Sequence, residues 1–148
     1  YEMTWCLVGS EMCTRDSFEA RQSLVEILPG NSIYFNGLEN LILPISVAHA
    51  YGRVEQYRKE NQSVKSALRF VDLTGKPTES YPYNPNGSSS GLTGFSSTDG
   101  RILMMMPHPE RNFRGNLFSW KPTSLNGGGD FSPWALIFEN VYKWIKSQ

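Results

Sequence analysis

The pair Asp99-Gly100 separates two apolar segments, Leu92 to Ser96 and Arg101 to Met106. It constrains the local fold more than any other feature of the chain. Asp-Gly takes the backbone angles of a tight turn at little steric cost, so the flanking segments are expected to fold back as a β-hairpin. The run Ile102-Leu103-Met104-Met105-Met106 is continuously apolar, which predicts a strand covered on both faces. Upstream, Phe18 to Ile27 reads as a strand with imperfect alternation, ended by the turn residues Pro29-Gly30-Asn31-Ser32. Leu41 to Ala48 is apolar. Pro44 lacks an N–H, so a strand beginning near Ile45 is expected. Gly52 to Tyr57 is expected to continue as a further strand. Ala67 to Leu73 and Pro77 to Tyr81, divided by Thr74-Gly75-Lys76, read as a second hairpin. Near the C-terminus Ser132 is a good N-cap and Pro133 suits the first helical position. Trp134, Ile137, Phe138, Val141 and Ile145 then recur at helical spacing and predict one buried face. Strands followed by one late helix point to an α/β or α+β unit.

Composition narrows the function classes. The 148 residues carry 14 basic and 14 acidic side chains, so no net charge drives binding to nucleic acid or an anionic membrane. No apolar stretch approaches a membrane span, and no signal peptide opens the chain. The two cysteines, Cys6 and Cys13, are too few for a disulfide framework and suit reduced thiols in a cytoplasmic protein. Without a secretory signal, Asn61-Gln62-Ser63 and Asn86-Gly87-Ser88 are chance matches to the glycosylation pattern. The chain begins at Tyr1 and its first methionine is Met3, which suggests a fragment or a processed product.

The most informative residues for chemistry are Met106-Pro107-His108-Pro109-Glu110-Arg111. If the segment stays extended, His108 and Glu110 share a face. A carboxylate beside an imidazole fixes its tautomer and supports its cationic form, the base-plus-orienter half of a nucleophilic triad. His-x-Glu spacing alone is weak, because most such pairs are surface residues. His49 closes an apolar run, and Gly52 permits a tight turn after it; on pattern alone, an ordinary hydrogen-bonded histidine at a strand end is the plainer reading. Neither Cys6 nor Cys13 lies in a G-x-C-x-G turn of the kind that exposes a nucleophile, and an incidental thiol is the plainer reading. A metal set from Cys6, Cys13, His49 and His108 lacks paired ligand spacing, so no metal site is assigned. Phosphate-loop motifs are absent, and Gly127-Gly128-Gly129 reads as a surface loop.

Five blocks occur in order: Phe18-Glu19-Ala20-Arg21, Ala48-His49-Ala50-Tyr51-Gly52-Arg53, Tyr81-Pro82-Tyr83-Asn84-Pro85-Asn86-Gly87-Ser88, Met106-Pro107-His108-Pro109-Glu110-Arg111 and Ser132-Pro133-Trp134. Together they resemble the C-terminal glutaminase domain of large, single-chain phosphoribosylformylglycinamidine synthase, the formylglycinamide ribonucleotide amidotransferase of purine biosynthesis. The resemblance implies the C-terminal part of a flavodoxin-like α/β domain of a class I glutamine amidotransferase, truncated at its start. Residues 1–17 are an unmatched N-terminal segment, and residues 18–148 correspond to the C-terminal portion of the glutaminase domain. By the same resemblance His108 and Glu110 are the triad histidine and glutamate, and His49 and Gly52 fall in a substrate-binding loop. That loop reads His-Ala-Tyr-Gly here where the family has His-Gly-Glu-Gly. The nucleophile elbow has no counterpart, so the nucleophile is unknown. Glutamine and the remainder of the synthase polypeptide are the implied partners. ATP and magnesium belong to the synthetase part of the complete enzyme, and no cofactor is expected in this chain.

Three readings follow. The first is a portion of the synthase's glutaminase domain, inactive alone and functional in the complete enzyme. The second is a small enzyme that uses Cys6 or Cys13 in a rearranged site. The third is a non-catalytic glutamine-binding or protein-interaction module on the same fold.

Overall fold

The computed structural model describes residues 18–54, 64–118 and 130–148. They form a mixed α/β unit: one five-stranded sheet with a single α-helix against it. The strands are β1 (Glu19–Ile27), β2 (Ile42–His49), β3 (Val64–Val71), β4 (Leu92–Ser97) and β5 (Leu103–Met105). The helix α1 spans Ala135–Lys146. The spatial order is β2-β1-β3-β4-β5, and every strand pair is antiparallel.

Alternation on β1 and β2 builds the core. Ser23, Val25 and Ile27 face inward on β1, opposite Ile45 and Leu43 of β2 and Phe70 and Leu68 of β3. Phe18 lies before the strand and is exposed rather than part of this face. Phe35, Leu38, Trp134 and Ile137 close over the inner face, so α1 and the turn at Ile33–Phe35 act as its lid.

Pro44 lies inside β2, which starts at Ile42 and not near Ile45. Among the described residues the strand is an edge of the sheet, with β1 on one side only. Ser46, two residues on, turns its N–H and C=O away from β1 toward other partners. Pro44 shares that outward register, so its missing N–H breaks no ladder bond. Its carbonyl accepts a 2.8 Å hydrogen bond from the Trp134 indole. The second expected hairpin is reduced to a turn at Asp72–Lys76 and one bridge between Val71 and Pro77. Gly52, Arg53 and Val54 form no strand, and the rest of that expected strand lies outside the described residues.

The Asp99-Gly100 hairpin forms as expected, joining β4 to β5. β5 is an edge strand, however, with Ile102 and Met104 exposed, so it is not covered on both faces. In the turn Ser97 donates its hydroxyl to Asp99, which also accepts the Arg101 N–H. Gly100 has φ +75°, and a Cβ there would run into the backbone carbonyl of Asn31. The Gly100 carbonyl in turn accepts the Ile33 N–H at 3.1 Å. Gly100→Ala is therefore expected to destabilise the fold by about 2–4 kcal/mol, combining left-handed backbone strain with a backbone collision. Urea unfolding checks this; a midpoint unchanged from wild type would refute it.

Trp134, just before α1, and Ile137 on it are buried as expected, but Phe138 and Ile145 are exposed. The helix starts two residues later than expected, at Ala135 with Trp134 at its N-cap, while in the turn before it the Ser132 hydroxyl accepts the Trp134 N–H and the Ser132 carbonyl accepts the Ala135 N–H.

Candidate functional site

The site is built on the free edge of β2. An antiparallel bridge pairs Ser46 with His108, whose N–H donates to the Ser46 carbonyl at 2.8 Å. Pro109 then starts a 3-10 turn, Pro109–Arg111, with its fixed φ suited to the first position. The His108 carbonyl accepts the Arg111 N–H, and the Pro109 carbonyl accepts the Asn112 N–H. This turn brings Glu110 back beside the imidazole: His108 Nδ1 and Glu110 Oε1 are 2.8 Å apart. The two side chains meet as expected, but through a tight turn rather than an extended segment. Engagement of Nδ1 by the carboxylate selects the Nδ1–H tautomer and leaves Nε2 as the nitrogen able to take a proton. The imidazole is one-third exposed and the glutamate about half, so the pair is accessible from solvent. Beside Glu110 lies an open groove of about 540 Å³ lined by Phe113, Phe131, Ala135 and Phe138.

His49 ends β2 on the buried face, opposite Glu19 of β1. Its Nε2 is buried without a hydrogen-bond partner among the described residues. Burial pushes its pKa below the ordinary imidazole value. A hydrogen bond with its own backbone and the charge of Glu19 oppose that, while the His108 and Arg21 charges add to it. Neutral His49 therefore contributes stability that is full above about pH 6.5 and falls as the pH drops below it, because the unfolded chain takes up a proton the folded chain resists. His49→Asn is expected to flatten this dependence. Urea midpoints at about pH 7.5 and about pH 5.5 measure it, and an equal acid loss in the variant would overturn the assignment.

Gly52 sits at φ +153°, and a Cβ there would run into the end of the Met106 side chain. The glycine lets the segment after His49 lie against the residue that precedes Pro107. Two polar side chains from the Tyr-Pro-Tyr-Asn-Pro-Asn-Gly-Ser block hold it there. Asn86 donates to the Gly52 carbonyl at 2.9 Å, and the Ser88 hydroxyl accepts the Val54 N–H at 3.0 Å. Buried Asn84 orders that loop by donating to the carbonyls of Thr78 and Ser88. Arg21 ties the loop to β1: its guanidinium stacks on Tyr81, donates to the Pro82 carbonyl and pairs with Glu19. The blocks noticed in the sequence are thus joined physically around the edge of β2.

Sequence reasoning passed over Asn86, Ser88 and Asn112. The first two stood in the matched block Tyr81 to Ser88 and in a chance glycosylation pattern, with no role given to either side chain. Asn112 carried no local signal. No cysteine lies among the described residues, since Cys6 and Cys13 fall in residues 1–17. Among the described residues no three His, Cys, Asp or Glu side chains gather as metal ligands. No described helix is long and apolar enough to cross a membrane.

A chain of the PurLQS structure from Thermotoga maritima has a similar fold, with a TM-score of 0.62 at 20% sequence identity. The match covers 90% of this chain and 51% of that one, so this chain spans about half the length of the protein it matches. The sequence also matches the CobB/CobQ-like glutamine amidotransferase domain over residues 11–145, nearly its full length. The chain belongs to the CobB/CobQ-like glutamine amidotransferase domain family.

Proposed function

We propose that this domain supplies the general base and its orienting carboxylate for glutamine hydrolysis in a phosphoribosylformylglycinamidine synthase. The observation that carries the reading is the 2.8 Å contact between His108 and Glu110 on a turn pinned to β2. A cysteine thiolate attacks the side-chain amide carbon of glutamine. His108 protonates the departing ammonia, then takes a proton from the water that hydrolyses the thioester. Glu110 holds the ring and stabilises the imidazolium, which is present beside the thiolate before ammonia departs and forms again when the water is deprotonated. The nucleophile is assigned to neither Cys6 nor Cys13. His49 and Gly52 shape the substrate side of the site, next to Met106.

Ammonia then passes to a synthetase site that uses ATP and magnesium to convert formylglycinamide ribonucleotide to formylglycinamidine ribonucleotide; no residue of this chain is assigned to those groups. Family membership supports the glutaminase half of the reading. The five ordered sequence blocks support the purine half. The fold shared with the PurLQS chain supports both. The test compares glutamine-dependent with ammonia-dependent amidine formation in the complete synthase. Glutamine binding without glutamate release would overturn the catalytic reading in favour of a binding module.

A further inference from the structure

An antiparallel hydrogen-bonded pair normally exchanges two bonds. The Ser46–His108 pair makes only one between backbones, from the His108 N–H to the Ser46 carbonyl. The reciprocal acceptor, the His108 carbonyl, is turned into the 3-10 turn and taken by the Arg111 N–H. The Ser46 N–H is instead taken by the Asn112 side chain, whose Oδ1 lies 2.6 Å away. An amide four residues beyond His108 thus replaces the second ladder bond.

That substitution is what allows the backbone to curl. If His108 kept both strand bonds, its carbonyl would point at Ser46 and the turn that returns Glu110 to the imidazole would lose its first hydrogen bond. Asn112 is fully buried, and its position is fixed from two further sides. Its N–H closes the turn on Pro109, and its carbonyl accepts the hydroxyl of Ser132, which in turn accepts the Trp134 N–H just before α1. The Asn112 Nδ2 has no hydrogen-bond partner among the described residues. The side chain is therefore held for its acceptor oxygen alone.

We infer that Asn112 is the positioning residue of the catalytic pair: its amide oxygen stands in for the His108 carbonyl on the edge of β2 and so sets the geometry of His108 against Glu110. The inference rests on the glutaminase reading above. It is tested in the complete synthase with Asn112→Leu, which keeps the approximate shape without the acceptor, Asn112→Ala, which removes the acceptor in a smaller side chain, and Asn112→Asp, which keeps an acceptor oxygen. Removing the acceptor is expected to lower kcat for glutamine-dependent turnover about 10- to 100-fold, as small misplacements of catalytic groups do. KM for glutamine and the ammonia-dependent rate are expected to stay near wild type, and Asn112→Asp is expected to recover most of the loss. Three outcomes overturn the inference: full glutamine-dependent kcat in an acceptor-less variant, equal loss in Asn112→Asp and Asn112→Leu, or failure of both acceptor-less variants to fold. A His108→Asn enzyme that still hydrolyses glutamine would instead bring down the glutaminase reading itself.

Discussion

Replacement of His108 by asparagine is expected to reduce glutamine-dependent turnover of the complete synthase by about 10²–10⁴-fold while leaving ammonia-dependent turnover intact. The imidazole is the proton-carrying group that Glu110 holds in place. Its backbone N–H, not its ring, anchors the turn to Ser46, so the substitution removes chemistry without removing the anchor. Glu110→Gln is expected to have a smaller effect, about 10- to 100-fold, because the glutamate orients the ring but stands half in water, where its charge is screened. Steady-state assays with each nitrogen source separate the two activities. Equal losses with glutamine and with ammonia would mean that His108 serves the fold or the synthetase site rather than glutamine hydrolysis.

The largest effect on stability is expected at Trp134. The side chain is fully buried, and it joins the start of α1 to the edge of β2 through the indole bond to the Pro44 carbonyl. Trp134→Ala removes the largest fully buried side chain and is expected to destabilise by about 3–5 kcal/mol. Trp134→Phe keeps most of the apolar volume but leaves the Pro44 carbonyl without its donor, and should destabilise by about 1–2 kcal/mol. Urea unfolding of the two variants distinguishes packing from hydrogen bonding. If Phe and Ala destabilise equally, the indole bond and not the ring volume dominates. If Phe is neutral, the bond contributes nothing.

The edge position of β2 explains why such different residues converge on it. An edge strand presents unpaired N–H and C=O groups that must find partners. Here Pro44 offers only a carbonyl, which takes the tryptophan indole, and Ser46 offers both groups, which take the loop of the candidate site. The same backbone edge that would otherwise invite pairing with another strand holds the His–Glu turn on one side and the helix on the other.

Local features were legible in the sequence where local chemistry decides them. Asp99-Gly100 forms its hairpin because turn angles are set by a few adjacent residues, whereas Ser132-Pro133 marks the helix start only to within two residues, because those residues form a turn that leads into Ala135. Pro44 misled because proline excludes a central strand but not the outward register of an edge strand. The run Ile102 to Met106 misled because a continuous apolar run does not reveal whether both faces are covered, and β5 closes the sheet with one side open. His108 and Glu110 were legible as a pair because they are two residues apart. The way they meet was not, since an extended segment and a 3-10 turn place such neighbours differently.

By itself, then, the sequence determined the hairpin, the presence of the C-terminal helix, the mixed α/β class and the pairing of an imidazole with a carboxylate, all from short local patterns. Only the tertiary structure decided what that pair rests on. The bond from Ser46 to Asn112 joins residues 66 positions apart, and the bond from Pro44 to Trp134 joins residues 90 apart. No local pattern encodes such contacts, because they exist only once the sheet has placed β2 at its edge and the chain has returned to satisfy it.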